Sequence, residues 1–163
     1  MKGIIIGVVL YLLVIFGTVG IYLSTYQNNQ YQADIGKEWL WRARATNDLD
    51  DMSNYLEKSL EYLDRYEGNP SWFYPTPDTD YNYIKTNIRE VIENCNQWKG
   101  TQDNFAYQQA VGNLQETIVE IAEHVSLANG WLTSPSIWYW VLWTLWLWIW
   151  VPILFLAVVI EDF

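Results

Sequence analysis

The chain has 163 residues, of which 19 are acidic and nine are basic, so its formal net charge at neutral pH is −10. This excess of negative charge argues against a nucleic-acid-binding protein, because such proteins present a basic surface to phosphate groups. The mean hydropathy of −0.06 is typical of a soluble protein. That average conceals two very apolar ends separated by a polar middle.

The N-terminal end carries an uncharged stretch from Gly3 to Ser24, and Lys2 is the one basic residue before it. About 20 apolar residues suffice for a helix to cross a bilayer, so residues 1–24 are predicted to form an N-terminal transmembrane helix. The alternative is a cleaved signal peptide, but its apolar region usually has about 7–15 residues. We therefore expect an uncleaved signal anchor. Gly3 and Gly7 stand four residues apart, a spacing that allows close packing of membrane helices.

Residues 25–136 form the polar middle, with 17 acidic and eight basic residues. Apolar side chains recur there at helical spacing in four stretches, which predicts four amphipathic helices. The first continues outward from the N-terminal span, interrupted at Gly36. The other three are expected to start at Thr46–Asp48, at Asp78 or Thr79 and at Thr101 or Asp103, and to end at Gly68, Gly100 and Asn129–Gly130. Four helices with short connections predict an antiparallel four-helix bundle.

The connection between the second and third helices, residues 68–79, contains three prolines and the consecutive aromatic residues Trp72, Phe73 and Tyr74. An even number of antiparallel helices returns both ends of the bundle to the membrane and places this connection at the membrane surface. Tryptophan and tyrosine are enriched at that interface. The loop is therefore predicted to lie in the interface, or else to plug the open end of the bundle core.

The C-terminal end contains residues 137–160, which carry no charged side chain. They are predicted to form a Trp-rich C-terminal transmembrane helix about 36 Å long, at about 1.5 Å per residue. Tyr139, Trp143, Trp146 and Trp150 fall on one stripe of this helix. Because indole N–H groups in hydrocarbon need an acceptor, the stripe is predicted to face a partner helix or an acyl or isoprenoid chain. The alternative is a lipid-facing aromatic surface.

The orientation follows from lysine and arginine, which are enriched on the cytoplasmic side of membrane helices. Lys2 precedes the first span, whereas residues 25–36 and 125–137 contain neither residue type. Both termini are therefore predicted to be cytoplasmic, including the short tail 161–163. The predicted fold is an all-α membrane protein with two transmembrane helices flanking an extracytoplasmic antiparallel four-helix bundle.

Groups that could support catalysis are few. His124 is the only histidine and Cys95 the only cysteine. A di-iron bundle requires Glu-x-x-His on two helices, whereas Glu120 precedes His124 by four residues, a spacing that favours an ion pair on a helix surface. Cys95 lies on an apolar stripe and is expected to pack in the core. We predict no enzymatic activity and no bound cofactor or metal ion.

The order of membrane helix, outer bundle and membrane helix resembles the layout of the sensing half of bacterial and archaeal transmembrane receptors. Only three residues follow the second span, too few for an output domain. The predicted function is a non-catalytic accessory or structural subunit of a larger membrane protein complex. Its Trp-rich helix would dock to other integral membrane subunits, among membrane lipid, and its acidic bundle to their outer domains. The alternative is an extracytoplasmic ligand-binding or sensory module that signals through a separate partner protein.

Overall fold

The computed structural model describes residues 22–132 without a gap, together with residues 9, 12, 16, 17, 19, 20, 145, 146, 148–150, 152, 153 and 156. The chain divides into two units, Asn29–Thr133 and the two ends, Met1–Asn28 with Ser134–Phe163. Most of the two predicted transmembrane segments therefore lies outside the described residues. Among the residues that are described, no helix combines the length and the apolar character that a membrane crossing needs.

Four α-helices make up the unit Asn29–Thr133. They are α1 (Tyr31–Ala45), α2 (Leu49–Leu63), α3 (Tyr81–Trp98) and α4 (Asn104–Leu132). A π-helical turn, Tyr26–Gln30, directly precedes α1, and a 3₁₀ turn, Pro77–Thr79, precedes α3. Each helix packs against the next and α1 packs against α4, so the four helices form a ring. The described residues contain no β-strand, and the prediction of a helical bundle is confirmed.

Ion pairs show that α2 and α3 run in opposite directions. Lys99, which follows α3, lies 2.8 Å from the carboxylate of Asp50 in the first turn of α2. At the other end of the same pair, Lys85 of α3 lies 4.0 Å from Asp64, which follows α2. Because the start of α2 meets the end of α3, the two helices are antiparallel.

The core contains the apolar stripes that the helical periodicity predicts. Leu40, Leu56, Ile88 and Ile118, one from each helix, are completely inaccessible to solvent. Burial of an aliphatic side chain of this size contributes about 1.5–3 kcal/mol to stability. Trp98 is the exception on its stripe, because it is 38 % exposed and lies at the edge of the core.

Aspartate side chains cap the starts of α2, α3 and α4. Asp48 accepts hydrogen bonds from two backbone N–H groups in the first turn of α2, at 2.8 and 3.2 Å, as its sequence position predicts. Asp80 caps α3 and accepts a backbone hydrogen bond at 2.8 Å, so the predicted cap at Asp78 or Thr79 is wrong. Those two residues belong instead to the 3₁₀ turn Pro77–Thr79.

Gly36 does not interrupt α1 but allows α1 and α2 to approach closely. A Cβ atom at this position would lie 2.9 Å from Cγ and Cδ2 of Leu63. The Ser59 hydroxyl donates a hydrogen bond to the Gly36 carbonyl at 2.8 Å. The glycine is therefore required by the packing of the two helices and not by a turn.

The end of α4 also differs from the prediction. The helix continues through Asn129 and Gly130 to Leu132. Asn129 is buried, and its side-chain amide donates to the carboxylate of Asp34 on α1 at 2.7 Å. An asparagine whose side chain is held by another helix does not compete for the backbone groups of its own helix, so it does not end the helix.

Candidate functional site

The chain enters and leaves the bundle at the same end. The side-chain amide of Asn29, in the π-helical turn, lies 3.4 Å from the carbonyl oxygen of Leu132. The neighbouring Gln30 donates to the carbonyl of Asn129 at 2.7 Å. The two chain segments that lead out of the bundle are therefore joined by hydrogen bonds where they leave it. We call this region the junction.

The Tyr66 side chain is inserted into the backbone at the junction. Its hydroxyl donates to the carbonyl of Asn29 at 2.7 Å and accepts from the N–H of Ala33 at 3.2 Å. In a regular α-helix the N–H of residue 33 would donate to the carbonyl of residue 29. A side chain that occupies this position perturbs the helix, and the π-helical turn lies at this point of the chain. Tyr66 thereby ties the loop after α2 to the entry of α1.

Tyr81 stacks on Tyr66, with ring centroids 4.8 Å apart and an interplanar angle of 22°. The Tyr81 hydroxyl is buried and has no hydrogen-bond partner among the described residues. Burial raises the pKa of both phenols, and the negative charge of Asp34 raises it further. The Ala33 N–H acts in the opposite direction on the pKa of Tyr66. Both side chains are therefore neutral at physiological pH.

Lys85 and Asn129 are two further buried polar residues at the junction. Lys85 is 7 % exposed, and its ammonium group donates to the carbonyl of Tyr66 at 2.8 Å. Asn129 donates to Asp34, but no other described residue bonds to its own buried side-chain oxygen. The backbone carbonyl and Asp64 together compensate much of the cost of burying the lysine charge.

The aromatic loop reaches the same end of the bundle. Trp72 is half-buried and contacts Trp131 of α4 edge to face, with ring centroids 6.1 Å apart. Phe73 and Tyr74 are 58 % and 68 % exposed, and their rings contact each other at 4.5 Å. One residue of the trio thus packs on the bundle, while the other two present an apolar surface to the outside.

Hydrogen bonds from Asn69 fix the shape of this loop. Its side-chain oxygen accepts from the Ser71 N–H and from the Thr79 hydroxyl, both at 2.9 Å. Its amide donates to the carbonyl of Thr76 at 2.7 Å. The exposed aromatic pair is therefore carried by a loop with defined internal bonding.

His124 and Cys95, the residues considered for catalysis, both make contacts that give them a structural role. His124 pairs with Asp78 of the 3₁₀ turn, with Nε2 3.6 Å from the carboxylate, and not with Glu120 as predicted. Cys95 is fully buried in the core, and burial raises the pKa of its thiol to about 11. A thiol is a poor nucleophile when it is not ionised. Among the residues that the structure describes, no group of three histidine, cysteine or acidic side chains could hold a metal ion.

The structure describes only some residues of the interfaces predicted on the N-terminal and C-terminal segments. Gly3, Gly7, Tyr139 and Trp143 lie outside the described residues. Trp146 and Trp150 are half-buried and contact each other edge to face, with ring centroids 6.0 Å apart. Trp148, which is not on the predicted stripe, is 73 % exposed.

Sequence reasoning missed the roles of Tyr66, Tyr81 and Lys85. Each lies in an amphipathic helix or next to one. Only the packing of distant segments brings Tyr66 and Lys85 to their backbone partners and stacks Tyr81 on Tyr66. No protein-family model, no curated protein and no solved structure matches the chain. Its function must therefore be argued from its own residues.

Proposed function

We propose that the protein is a non-catalytic accessory or structural subunit of a larger membrane protein complex. In this proposal its two apolar segments cross the membrane, both termini are cytoplasmic and the helical bundle lies outside. The Trp-rich segment docks to membrane helices of other subunits, and the acidic bundle docks to their outer domains.

The observation that carries the proposal is the hydrogen bond between Asn29 and Leu132. A polar bundle between two apolar segments can stand on a membrane only if the chain enters and leaves it at one end. The 3.4 Å contact satisfies this requirement with residues that are far apart in sequence. Tyr66 and Gln30 strengthen the same region, which favours a fixed support for the bundle.

The exposed pair Phe73 and Tyr74 lies on the aromatic loop at this end of the bundle. Tyrosine, whose ring carries a polar hydroxyl, is stable where hydrocarbon meets water, and the adjacent Phe73 adds apolar surface. Trp72 packs on Trp131, so the loop is held against α4 while the pair remains accessible. In our proposal these two rings enter the interfacial layer of the membrane.

The charge of the bundle indicates the kind of partner. Residues 25–136 carry a net charge of −9, and α4 contains three glutamates and neither lysine nor arginine. Such a surface favours a partner domain with exposed basic residues and disfavours nucleic acid. Other integral membrane subunits and membrane lipid are therefore the proposed partners.

The docking proposal is tested by extracting the protein from its native membrane with a mild detergent. We expect it to co-purify with partner subunits in fixed stoichiometry. Replacing Trp143, Trp146 and Trp150 together with leucine keeps the segment apolar but removes the shape of the stripe, and should release the partners. Trp148→Leu is the matched control, because this residue is exposed and lies off the stripe. Co-purification that survives the triple replacement would show that the stripe is not the docking face.

The orientation is tested separately with single cysteines introduced at Asn47 and Gly100. Both positions are exposed, and the native Cys95 is buried and should not react. We expect a membrane-impermeant maleimide to label both in intact cells. Labelling that requires permeabilised cells would place the bundle in the cytoplasm and would rule out the proposed orientation.

The alternative function is an extracytoplasmic ligand-binding or sensory module that signals through a separate partner. The π-helical turn beside Tyr66 favours it, because such turns are frequent at functional sites. A ligand that changes the packing of α2 or α3 would act on the entry of α1 through this residue. Purification of the protein as a lone subunit with a small molecule bound would favour this function over docking.

A further inference from the structure

The contact between α3 and α4 differs from the other three helix contacts of the bundle. Polar bonds link the other pairs. Ser59 bonds to Gly36 between α1 and α2, and Asn129 bonds to Asp34 between α1 and α4. Lys99, which directly follows α3, pairs with Asp50 of α2. Between α3 and α4, by contrast, the described residues form no hydrogen bond and no ion pair. The polar side chains of the described residues along this contact are therefore available to a ligand.

Two cavities follow each other along this contact. The larger has a volume of about 480 Å³ and lies toward the end of α3 and the start of α4. The smaller has about 220 Å³ and continues toward His124. Both cavities are lined by Asn94, Leu114 and Thr117, so together they form one groove. Its length, from Trp98 to Tyr83, is about 22 Å at about 1.5 Å per helical residue.

The larger cavity is lined by uncharged hydrogen-bonding groups over an apolar floor. Asn94 on α3 faces Gln109 and Asn113 on α4, and Ala110 and Leu114 form the floor. None of the three amide side chains bonds to another described residue. A side-chain amide both donates and accepts hydrogen bonds, so these groups suit a ligand that presents both as well.

Trp98 stands at the end of the same cavity. It is 38 % exposed, and its ring makes no stacking contact with another described aromatic residue. A tryptophan face offers a large apolar surface with one polar atom at its edge. Such a face packs on the C–H surface of a sugar ring while neighbouring amides bond to the hydroxyl groups.

The residues that line the groove disfavour anions and acyl chains as ligands. Neither lysine nor arginine lines either cavity, and Glu90 and Glu120 lie in the smaller one, which disfavours an anion. An acyl chain requires a largely apolar lining, whereas amides, hydroxyls and carboxylates line this groove. At its far end lies His124, whose Nε2 atom is 3.6 Å from the carboxylate of Asp78.

We propose that the groove between α3 and α4 binds a short, uncharged glycan, with Asn94, Gln109 and Asn113 bonding its hydroxyl groups and Trp98 stacking on a ring. The volume of about 480 Å³ falls within the usual range of ligand sites, about 300–1,000 Å³. The proposal concerns the bundle only. It holds or fails independently of docking through the Trp-rich segment.

The test uses the full chain in lipid nanodiscs with cellotriose, maltotriose and tri-N-acetylchitotriose as probes, measured by saturation-transfer NMR and titration calorimetry. At least one trisaccharide should bind at millimolar concentration or below. The double variant Asn94→Leu/Asn113→Leu should bind it at least about tenfold more weakly, since each lost hydrogen bond contributes about 1 kcal/mol. Trp98→Ala should weaken binding as well.

The matched control is Asn96→Leu/Gln108→Leu, which removes two exposed amides from the same helices but outside the groove, and should bind normally. Circular dichroism checks that all variants remain folded. Failure of all three trisaccharides to bind would overturn the proposal, as would equal binding by the double variant and the wild type. Spermidine and choline are included because the two glutamates could attract a cation. If either of these binds in the groove and no sugar does, the glycan assignment is wrong.

Discussion

Tyr66 and Tyr81 stack on each other, yet their hydroxyl groups have opposite surroundings. The rings lie 4.8 Å apart. The Tyr66 hydroxyl makes two hydrogen bonds with the backbone of the junction, whereas the Tyr81 hydroxyl is buried and makes none within the part of the chain that the structure describes. The same chemical change at the two positions should therefore have effects of opposite sign.

Tyr66→Phe should lower the free energy of unfolding by about 1–3 kcal/mol, because it leaves the Asn29 carbonyl and the Ala33 N–H without their partner. Tyr81→Phe should raise it by about 1 kcal/mol, because it removes a polar group that was buried without a bond. Denaturant unfolding of the protein in detergent micelles, followed by circular dichroism, measures both. Destabilisation of similar size by both variants would show that the Tyr81 hydroxyl has a partner, such as a buried water.

The same pair predicts how stability depends on alkaline pH. Burial raises the pKa of both phenols above the ordinary value of 10.0, so above pH 10 the unfolded chain loses protons that the folded chain retains. The stabilising contribution is complete below pH 10 and is lost as the pH rises through the folded pKa values. Between the unfolded and the folded pKa, each tyrosine should lower the unfolding free energy by at most about 1.4 kcal/mol per pH unit.

Unfolding measured between pH 9 and pH 11.5 tests this dependence. The double variant Tyr66→Phe/Tyr81→Phe should show a smaller loss than the wild type. Tyr74→Phe is the control, since it removes the same hydroxyl from a side chain that is 68 % exposed. An identical slope in the wild type and the double variant would contradict the assignment of the dependence to this pair.

Gly36 provides a test of the close contact between α1 and α2. Gly36→Ala should destabilise the bundle by about 1–3 kcal/mol through overpacking, because the added carbon would lie 2.9 Å from two carbons of Leu63. This exceeds the gain of up to about 1 kcal/mol from better helix propensity. Gly112→Ala is matched to it, as Gly112 is within α4 and has no atom within 4 Å of the added carbon. That variant should be stabilised, and equal effects of the two would argue against the contact.

Cys95 should be unreactive in the folded protein. It is fully buried, and burial raises its pKa to about 11, so at pH 8 little thiolate is present and reagents have no access. Iodoacetamide should modify it only at the rate at which the bundle opens, as followed by mass spectrometry. Cys95→Ala with Asn96→Cys moves the thiol to an exposed position and should react rapidly. Fast modification of native Cys95 would mean that α3 is loosely packed.

The positions of the four helices could be predicted because the signals are local. Leu49, Met52 and Leu56 repeat at the spacing of a helical face, and Asp48 stands where a cap is needed, so neighbours in sequence determine both. The same reasoning failed at Asn129 and at Asp78. The sequence predicts that each ends or caps a helix, but each makes a contact with another segment, Asn129 with Asp34 and Asp78 with His124.

The amino-acid sequence by itself determined which residues form helices, which faces are apolar and that a polar bundle lies between two uncharged ends. Only the tertiary structure decided that Tyr66 enters the backbone of α1, that Gly36 is a contact point and that the α3–α4 contact stays open. The physical reason is that the hydrophobic effect buries the apolar face of a helix. The spacing of apolar residues that defines this face is contained in a short stretch of chain. A buried or half-buried polar group, by contrast, needs one particular partner, and in this bundle that partner is up to 103 residues away along the chain.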